Sequence, residues 1–305
     1  MGKIAFVFSG QGAQYSGMGK EVAENVPAAA EVFKVADSVR EGTSKQCFEA
    51  DKEELTITSN TQPCIFTVSL AMAAALEAEG IKADYAAGFS LGELSALTYA
   101  KAFTLEEGLR VVSERGRLMQ MDAEKHDTGM VAVLKLADEK VQELASKYEN
   151  VYPVNFNTDG QVSVAGNKEE LEAFKADVKE ARGLAKPLAV AGAFHSPYMS
   201  DASEAFGKFL ETADVNAPQI PVFSNLTAEN YGEDVRGYLK DQIVNPVLWK
   251  KIVKNLVAEG VDTFIELGPG STLAKMIGRI DKTVSVYNVE NMETLQKAVE
   301  GVKNA

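Results

Sequence analysis

Ser90 stands at the centre of Gly88-Phe89-Ser90-Leu91-Gly92, between a run that reads as a strand and one that reads as a helix. Glycines two residues to either side let the two backbones close tightly, so such a turn can hold a hydroxyl out beyond the sheet edge as a nucleophile. An ordinary strand-to-helix turn could carry the same five residues, so the chemistry depends on what converges there. A serine hydroxyl attacks only when a base removes its proton, and histidine is the usual base because it titrates near working pH. The chain has two histidines. His126 lies in the charged stretch Glu124-Lys125-His126-Asp127 and reads as solvated. His195 lies in Gly192-Ala193-Phe194-His195-Ser196-Pro197 and is favoured as the base by elimination and position. No carboxylate stands out as a third member, so a backbone group is left to orient His195.

Serine attack on a carbonyl also needs donors aimed at the developing oxyanion. The elbow offers the N–H of Leu91. The glycine-rich turn Ser9-Gly10-Gln11-Gly12-Ala13-Gln14, directly after the first strand, could offer a second. As a phosphate cradle this segment fits poorly: Gly10, Gly12 and Gly17 miss the dinucleotide spacing, and Gly19-Lys20-Glu21 lacks the glycine spacing and hydroxyl of a P-loop. Arg115 is the most informative residue outside the elbow. On a helix, Val111, Val112, Leu118 and Met119 all fall within about 60° of it, whereas Arg110 and Arg117 point away. A guanidinium centred on an apolar stripe must meet an anion, from a buried Asp or Glu or from a ligand carboxylate.

The elements around these residues follow an α/β rhythm. Strand-like runs at 4–8, 85–89 and 263–267 alternate with helical patterns at 67–79, 91–101 and 105–121. From about 129 to 190 the order becomes strand 130–134, helix 138–147, strand 151–156, strand 161–165, helix 169–181, strand 184–190. That βαββαβ order is ferredoxin-like and reads as an inserted small domain at 128–193, crossing at 124–128 and at Gly192, within a large domain made of 1–127 and 194–305.

The formal charge of −13 argues against a nucleic-acid or anionic-membrane binder, so an acidic partner must find a local basic patch. Cys47 and Cys64 stand singly and read as two buried thiols, with no metal-ligand spacing. The apolar run 4–8 is too short for a signal-peptide core, no later stretch is read as long enough to span a membrane, and a cytoplasmic protein is expected.

Taken together, Gly10-Gln11-Gly12, Gly88-x-Ser90-Leu91-Gly92-Glu93, Arg115-Gly116, Gly192-Ala193-Phe194-His195-Ser196 and Glu266-Leu267-Gly268-Pro269-Gly270 resemble the malonyl-CoA:acyl carrier protein transacylases of bacterial fatty-acid synthesis, in order and over nearly the whole chain. The resemblance implies an α/β-hydrolase-like large domain, a ferredoxin-like small one and an active site between them. It implies that Ser90 is acylated, that His195 is its base, that Arg115 grips the malonyl carboxylate and that the amides of Gln11 and Leu91 form the oxyanion hole. It also places Gln62 and Asn157 at the pocket, each readable instead as a satisfied polar residue beside a turn, and makes Phe194 a bulky ring that leaves little room for a 2-methyl branch. The implied partners are malonyl-CoA and an acyl carrier protein, acting on a monomer without metal or cofactor beyond the coenzyme A thioester that is the substrate. Arg182, Lys186, Lys275 and Arg279 are the candidate cations for the carrier. Two positions depart from the family pattern. Phe89 replaces a common His, and Leu248 replaces a Gln or Arg, which preserves the histidine's support only if that support is a main-chain carbonyl. A serine thioesterase or hydrolase, a non-catalytic carrier-binding module and a free-standing polyketide-type acyltransferase are the rival readings.

Overall fold

The computed structural model describes residues 2–232 and 234–304. Among the described residues nine strands run in chain order: β1 (Lys3–Phe8), β2 (Tyr85–Gly88), β3 (Thr128–Leu134), β4 (Val151–Thr158), β5 (Gln161–Asn167), β6 (Leu184–Pro187), β7 (Val222–Phe223), β8 (Val261–Leu267) and β9 (Ser285–Val289). They form two sheets, β7-β2-β1-β8-β9 and β4-β5-β3-β6. The pairings in the first are all parallel and those in the second all antiparallel.

The parallel sheet behaves as a sheet covered by helices on both faces should, with strands apolar along both sides rather than alternating. After Lys3 every residue of β1 is buried. One face packs with the helices Thr58–Ala78, Leu91–Tyr99 and Leu105–Ala123, and the other with Trp249–Ala258 and Thr272–Ile280, giving two apolar clusters divided by the sheet. The antiparallel sheet has the ferredoxin-like order, with β3 central between β5 and β6. The helices Asp138–Ala145 and Lys168–Glu180 cover one of its faces through their own small core of Val131, Val133, Val141, Val162, Val164 and Phe174. The molecule is therefore a mixed α/β protein with a parallel sheet and a separate antiparallel one.

Several expected boundaries move. The last strand of the small unit ends at Pro187 rather than at 190, because the chain peels away once Pro187 has paired with Val131. Strand β3 begins at Thr128, a residue expected in the crossing. The helix expected to begin at 67 starts earlier and takes in Gln62, whose alternative reading was a polar residue beside a turn. It runs Thr58–Ala78 with Pro63 inside it. A proline there costs about 3 kcal/mol by propensity, yet most of the helix is buried, and burial outweighs the local penalty. The same helix corrects the expectation that no stretch has membrane-span length. An 18-residue window of this 21-residue helix has a mean hydropathy of 1.2 and is long and apolar enough by composition, but 83% of that window is buried inside the protein as part of a core helix.

Candidate active site

The turn from β2 into the helix Leu91–Tyr99 is the expected elbow, and its glycines are required by distance. A Cβ on Gly88 would lie 1.9 Å from the carbonyl oxygen of Gly92, and one on Gly92 would lie 2.2 Å from that of Phe8. The backbone packs so closely that Ser90 is pushed to φ 54°, a left-handed conformation that a non-glycine residue holds only when its surroundings enforce it. Asn225 does the enforcing. Its Oδ1 accepts from the Ser90 N–H at 2.7 Å while its Nδ2 donates to the Gly88 carbonyl at 2.6 Å, clamping both sides of the bend. Glu93, fully buried one turn into the helix, accepts from the Asn225 N–H at 3.0 Å.

His195 meets this hydroxyl from a segment more than a hundred residues away. Its Nε2 is 2.8 Å from Ser90 Oγ and its Nδ1 is 2.9 Å from the Gln242 carbonyl oxygen. A carbonyl can only accept, so Nδ1 carries the proton and Nε2 is left to receive one from the serine. The orienting group is thus a main-chain carbonyl, as the histidine's surroundings required, but it belongs to Gln242. Leu248 lies outside this contact: its N–H donates to the Asn225 carbonyl, and its departure from the family pattern leaves the histidine's support intact. Burial, and after it the charge of Arg115, lower the His195 pKa to about 4. His195 is therefore a neutral imidazole over the physiological range. His126, by contrast, is exposed and packs against the Tyr198 ring, as a solvated residue would.

Arg115 is fully buried on the helix Leu105–Ala123, while Arg110 and Arg117 face outward in pairs with Glu107 and Glu114. Among the described residues no aspartate or glutamate caps it. Its three hydrogen bonds go to neutral acceptors: Nη1 to Gln62 Oε1 at 2.8 Å, Nη2 to Gln242 Oε1 at 2.7 Å and Nη2 to Ser90 Oγ at 3.2 Å. The buried Nε has no partner among the described residues. Burial lowers the Arg115 pKa to about 10, with the charge of Glu93 opposing that shift, so the group stays cationic at neutral pH. An uncapped guanidinium with spare donors beside a serine hydroxyl is a receptor for an anion.

Ser90, His195 and Gln62 open on a cleft of about 750 Å³ between the two sheets, the size that holds a small-molecule ligand, while Arg115 and Leu91 lie buried just behind its lining. Gln11, Gln62, Ser90, Asn157, Phe194 and His195 all line it, as does Phe89, whose ring packs edge-on to Trp249 at 5.7 Å. The Leu91 N–H begins its helix and the Gln11 N–H lies in the glycine turn, and neither amide is engaged by another backbone carbonyl among the described residues. The turn holding Gln11 is pinned from below: Ser9 Oγ donates to Glu266 Oε1 at 3.2 Å, and the other oxygen of that buried carboxylate accepts from the Ala274 N–H at 2.7 Å. Asn157 donates to Ser163 Oγ at 3.3 Å but keeps a buried, unpartnered Oδ1, and so does its cleft-lining neighbour Asn155. Asn225, Gln242 and Asn155 are the site residues that sequence reasoning missed. Gln242 precedes the Asn245-Pro246 pair by three residues, a nearness that could have drawn attention to it. Asn225 follows a strand of only two residues and gave no such signal.

Residues 5–303 match the family model of the acyl transferase domain. The chain is 36% identical over 311 residues, 99% of its length and 98% of the relative's, to the malonyl CoA-acyl carrier protein transacylase of Bacillus subtilis. The crystal structure of a malonyl CoA-acyl carrier protein transacylase from Clostridium perfringens superimposes with a TM-score of 0.96 at 36% identity, covering 99% of this chain and 98% of that one. A malonyl-transacylase solved with the holo acyl-carrier protein of a type II polyketide synthase superimposes at 0.93 with 33% identity, covering 98% and 99%. On this evidence the chain belongs to the malonyl-CoA:acyl carrier protein transacylase family of acyl transferases.

Proposed function

We propose that this protein moves a malonyl group from malonyl-CoA to the phosphopantetheine thiol of an acyl carrier protein through an ester on Ser90. His195 Nε2 takes the hydroxyl proton as Oγ attacks the thioester carbonyl, and the negative charge on that carbonyl oxygen falls to the amides of Leu91 and Gln11. The intermediate collapses by breaking the C–S bond, and coenzyme A leaves with the proton that His195 returns. The carrier thiol then gives its proton to His195 and attacks the ester, and Ser90 Oγ recovers a proton as the C–O bond breaks. Arg115 holds the distal carboxylate throughout, and Phe194 narrows the space beside the base against a 2-methyl branch. The activated thioester makes a neutral imidazole held by one carbonyl a sufficient base. The reaction uses no metal or cofactor, and the protein works as a cytoplasmic monomer in fatty-acid synthesis.

The observation that carries this reading is the uncapped, fully buried Arg115 donating to Ser90 Oγ at 3.2 Å, with His195 at 2.8 Å from the same oxygen. A hydrolase needs no buried cation for an acidic acyl group, and a binding module needs no base. The malonyl-enzyme formed with malonyl-CoA is expected to persist in buffer and to discharge on addition of holo carrier protein. Rapid loss of the adduct to water alone would favour the hydrolase instead. The likeness to a transacylase solved with a polyketide carrier supports a second choice of acceptor, so carriers of both kinds belong in the discharge assay.

A further inference from the structure

Gln242 touches the nucleophile's elbow, the base and the buried cation at once. Its main-chain carbonyl accepts from His195, its Oε1 accepts from Arg115 Nη2, and its Nε2 donates to the Ser90 carbonyl at 2.9 Å. An amide can turn over by 180° and exchange its donor and acceptor ends. Turned over, Gln242 would aim an NH₂ at the guanidinium, donor against donor, and an oxygen at the Ser90 carbonyl. Glu93 adds a third bar to those two, since its Oε2 accepts from Gln242 Nε2 at 2.5 Å. Burial raises the Glu93 pKa, but Gln242, Tyr231 and the Asn225 N–H all donate to its oxygens and, with Arg115, oppose that rise, so the group is held as an acceptor that tolerates the donor end and repels the other. The other oxygen of Glu93, Oε1, accepts twice, from the Asn225 N–H at 3.0 Å and from Tyr231 Oη at 2.6 Å, so the main-chain donor remains when the tyrosine hydroxyl is removed.

We propose that Glu93 is a positioning residue for substrate choice: by fixing the sense of the Gln242 amide it aims Arg115 at the acyl carboxylate while leaving that cation uncapped. The arrangement resolves a conflict at the site. A carboxylate in direct contact with Arg115 would occupy the donors that the ligand needs, whereas the same charge placed behind a neutral amide balances the cation and leaves its remaining N–H groups open. This inference rests on the reading of Arg115 as the carboxylate receptor and extends it to the groups that hold it.

The test is the ratio of kcat/KM for malonyl-CoA to that for acetyl-CoA, measured for wild type, Arg115→Ala, Glu93→Gln, Gln242→Met and Tyr231→Phe. Acetyl transfer has no use for Arg115 but needs Ser90 and His195, and Gln242→Met keeps the carbonyl that orients the histidine. Glu93→Gln and Gln242→Met should each lower the ratio about tenfold or more, as expected when a hydrogen bond to a charged group is lost, chiefly through malonyl-CoA. Tyr231→Phe keeps the carboxylate and should leave the ratio at its wild-type value while lowering Tm. If Glu93→Gln fails to fold, Gln242→Met carries the test alone. A wild-type ratio in Gln242→Met and Glu93→Gln, with the ratio lost in Arg115→Ala, overturns this proposal only. Equal losses on both substrates also overturn it, by reducing Glu93 to a fold-holding residue. A wild-type ratio in Arg115→Ala overturns it together with the reading beneath it.

Discussion

His195 lies in a dry environment beside a cation, and both features disfavour its charged form, which sets its pKa at about 4. For kcat/KM, which reports the free enzyme, the rate should stay flat from neutral pH downward and fall by one proton's worth only near pH 4. With the malonyl carboxylate on Arg115, as proposed, the cation is offset, the imidazole becomes easier to protonate and the kcat limb should lie at higher pH than the kcat/KM limb. Stopped-flow acylation across pH 4 to 8 checks both, and a kcat/KM limb near the ordinary histidine value of 6.5 would contradict the buried geometry. The sign for stability follows from the same shift. The unfolded chain takes up this proton near 6.5 and the native protein only near 4, so His195 costs stability as pH falls through that window and nothing above it. At this scale Ser90, His195 and Arg115 were legible because each breaks a local rule: a serine between glycines, a histidine outside a charged stretch, an arginine on an apolar stripe. Gln242 and Asn225 broke no rule. Their roles exist only through tertiary hydrogen bonds to residues 47 to 152 positions away, and linear spacing does not encode those.

The elements convert those residues into a site by packing backbone against backbone. Gly88 and Gly92 sit where strand and helix touch, with no space for a methyl group. Gly88→Ala or Gly92→Ala should therefore destabilise the protein by about 1–3 kcal/mol through overpacking and cost activity beyond that, since the elbow must open. Thermal unfolding paired with an acylation assay reads both, and an alanine variant at Gly92 with native Tm and rate would show that the turn is not held as described. Gly12 has φ 104° and open space where a Cβ would go, so its glycine answers to backbone conformation rather than to crowding. The longer elements were readable from periodicity, and the small unit was readable in full as βαββαβ. The start of the helix Thr58–Ala78 was not, because Pro63 reads as a breaker while the burial that overrides it is tertiary. The two-residue strand β7 was too short to leave any period.

At the scale of the molecule, two separate sheets leave the cleft between them, and the chain's net charge of −13 must be overcome wherever an acidic carrier docks. Lys275 and Arg279 are exposed on the helix Thr272–Ile280, whose Leu273 and Met276 line the cleft, so they sit beside the entrance a phosphopantetheine arm would use. Arg182 and Lys186 are exposed on the small unit. Reversing Lys275 and Arg279 to Glu should raise KM for the carrier severalfold at low salt and leave acylation by malonyl-CoA unchanged; an unaltered KM would retire that surface. The division of the chain into 1–127 with 194–305 and 128–193 follows from the same view of an insertion between two crossings, and limited proteolysis at those crossings would test it. The central claim is that one buried cation beside one imidazole-activated serine selects and holds a malonyl group, and the intact mass of the whole protein after brief mixing with malonyl-CoA tests it most directly. Wild type should gain a single malonyl adduct, Ser90→Ala none, and Arg115→Ala should lose its preference for malonyl-CoA over acetyl-CoA; an adduct that survives in Ser90→Ala, or an undiminished preference in Arg115→Ala, would contradict the account.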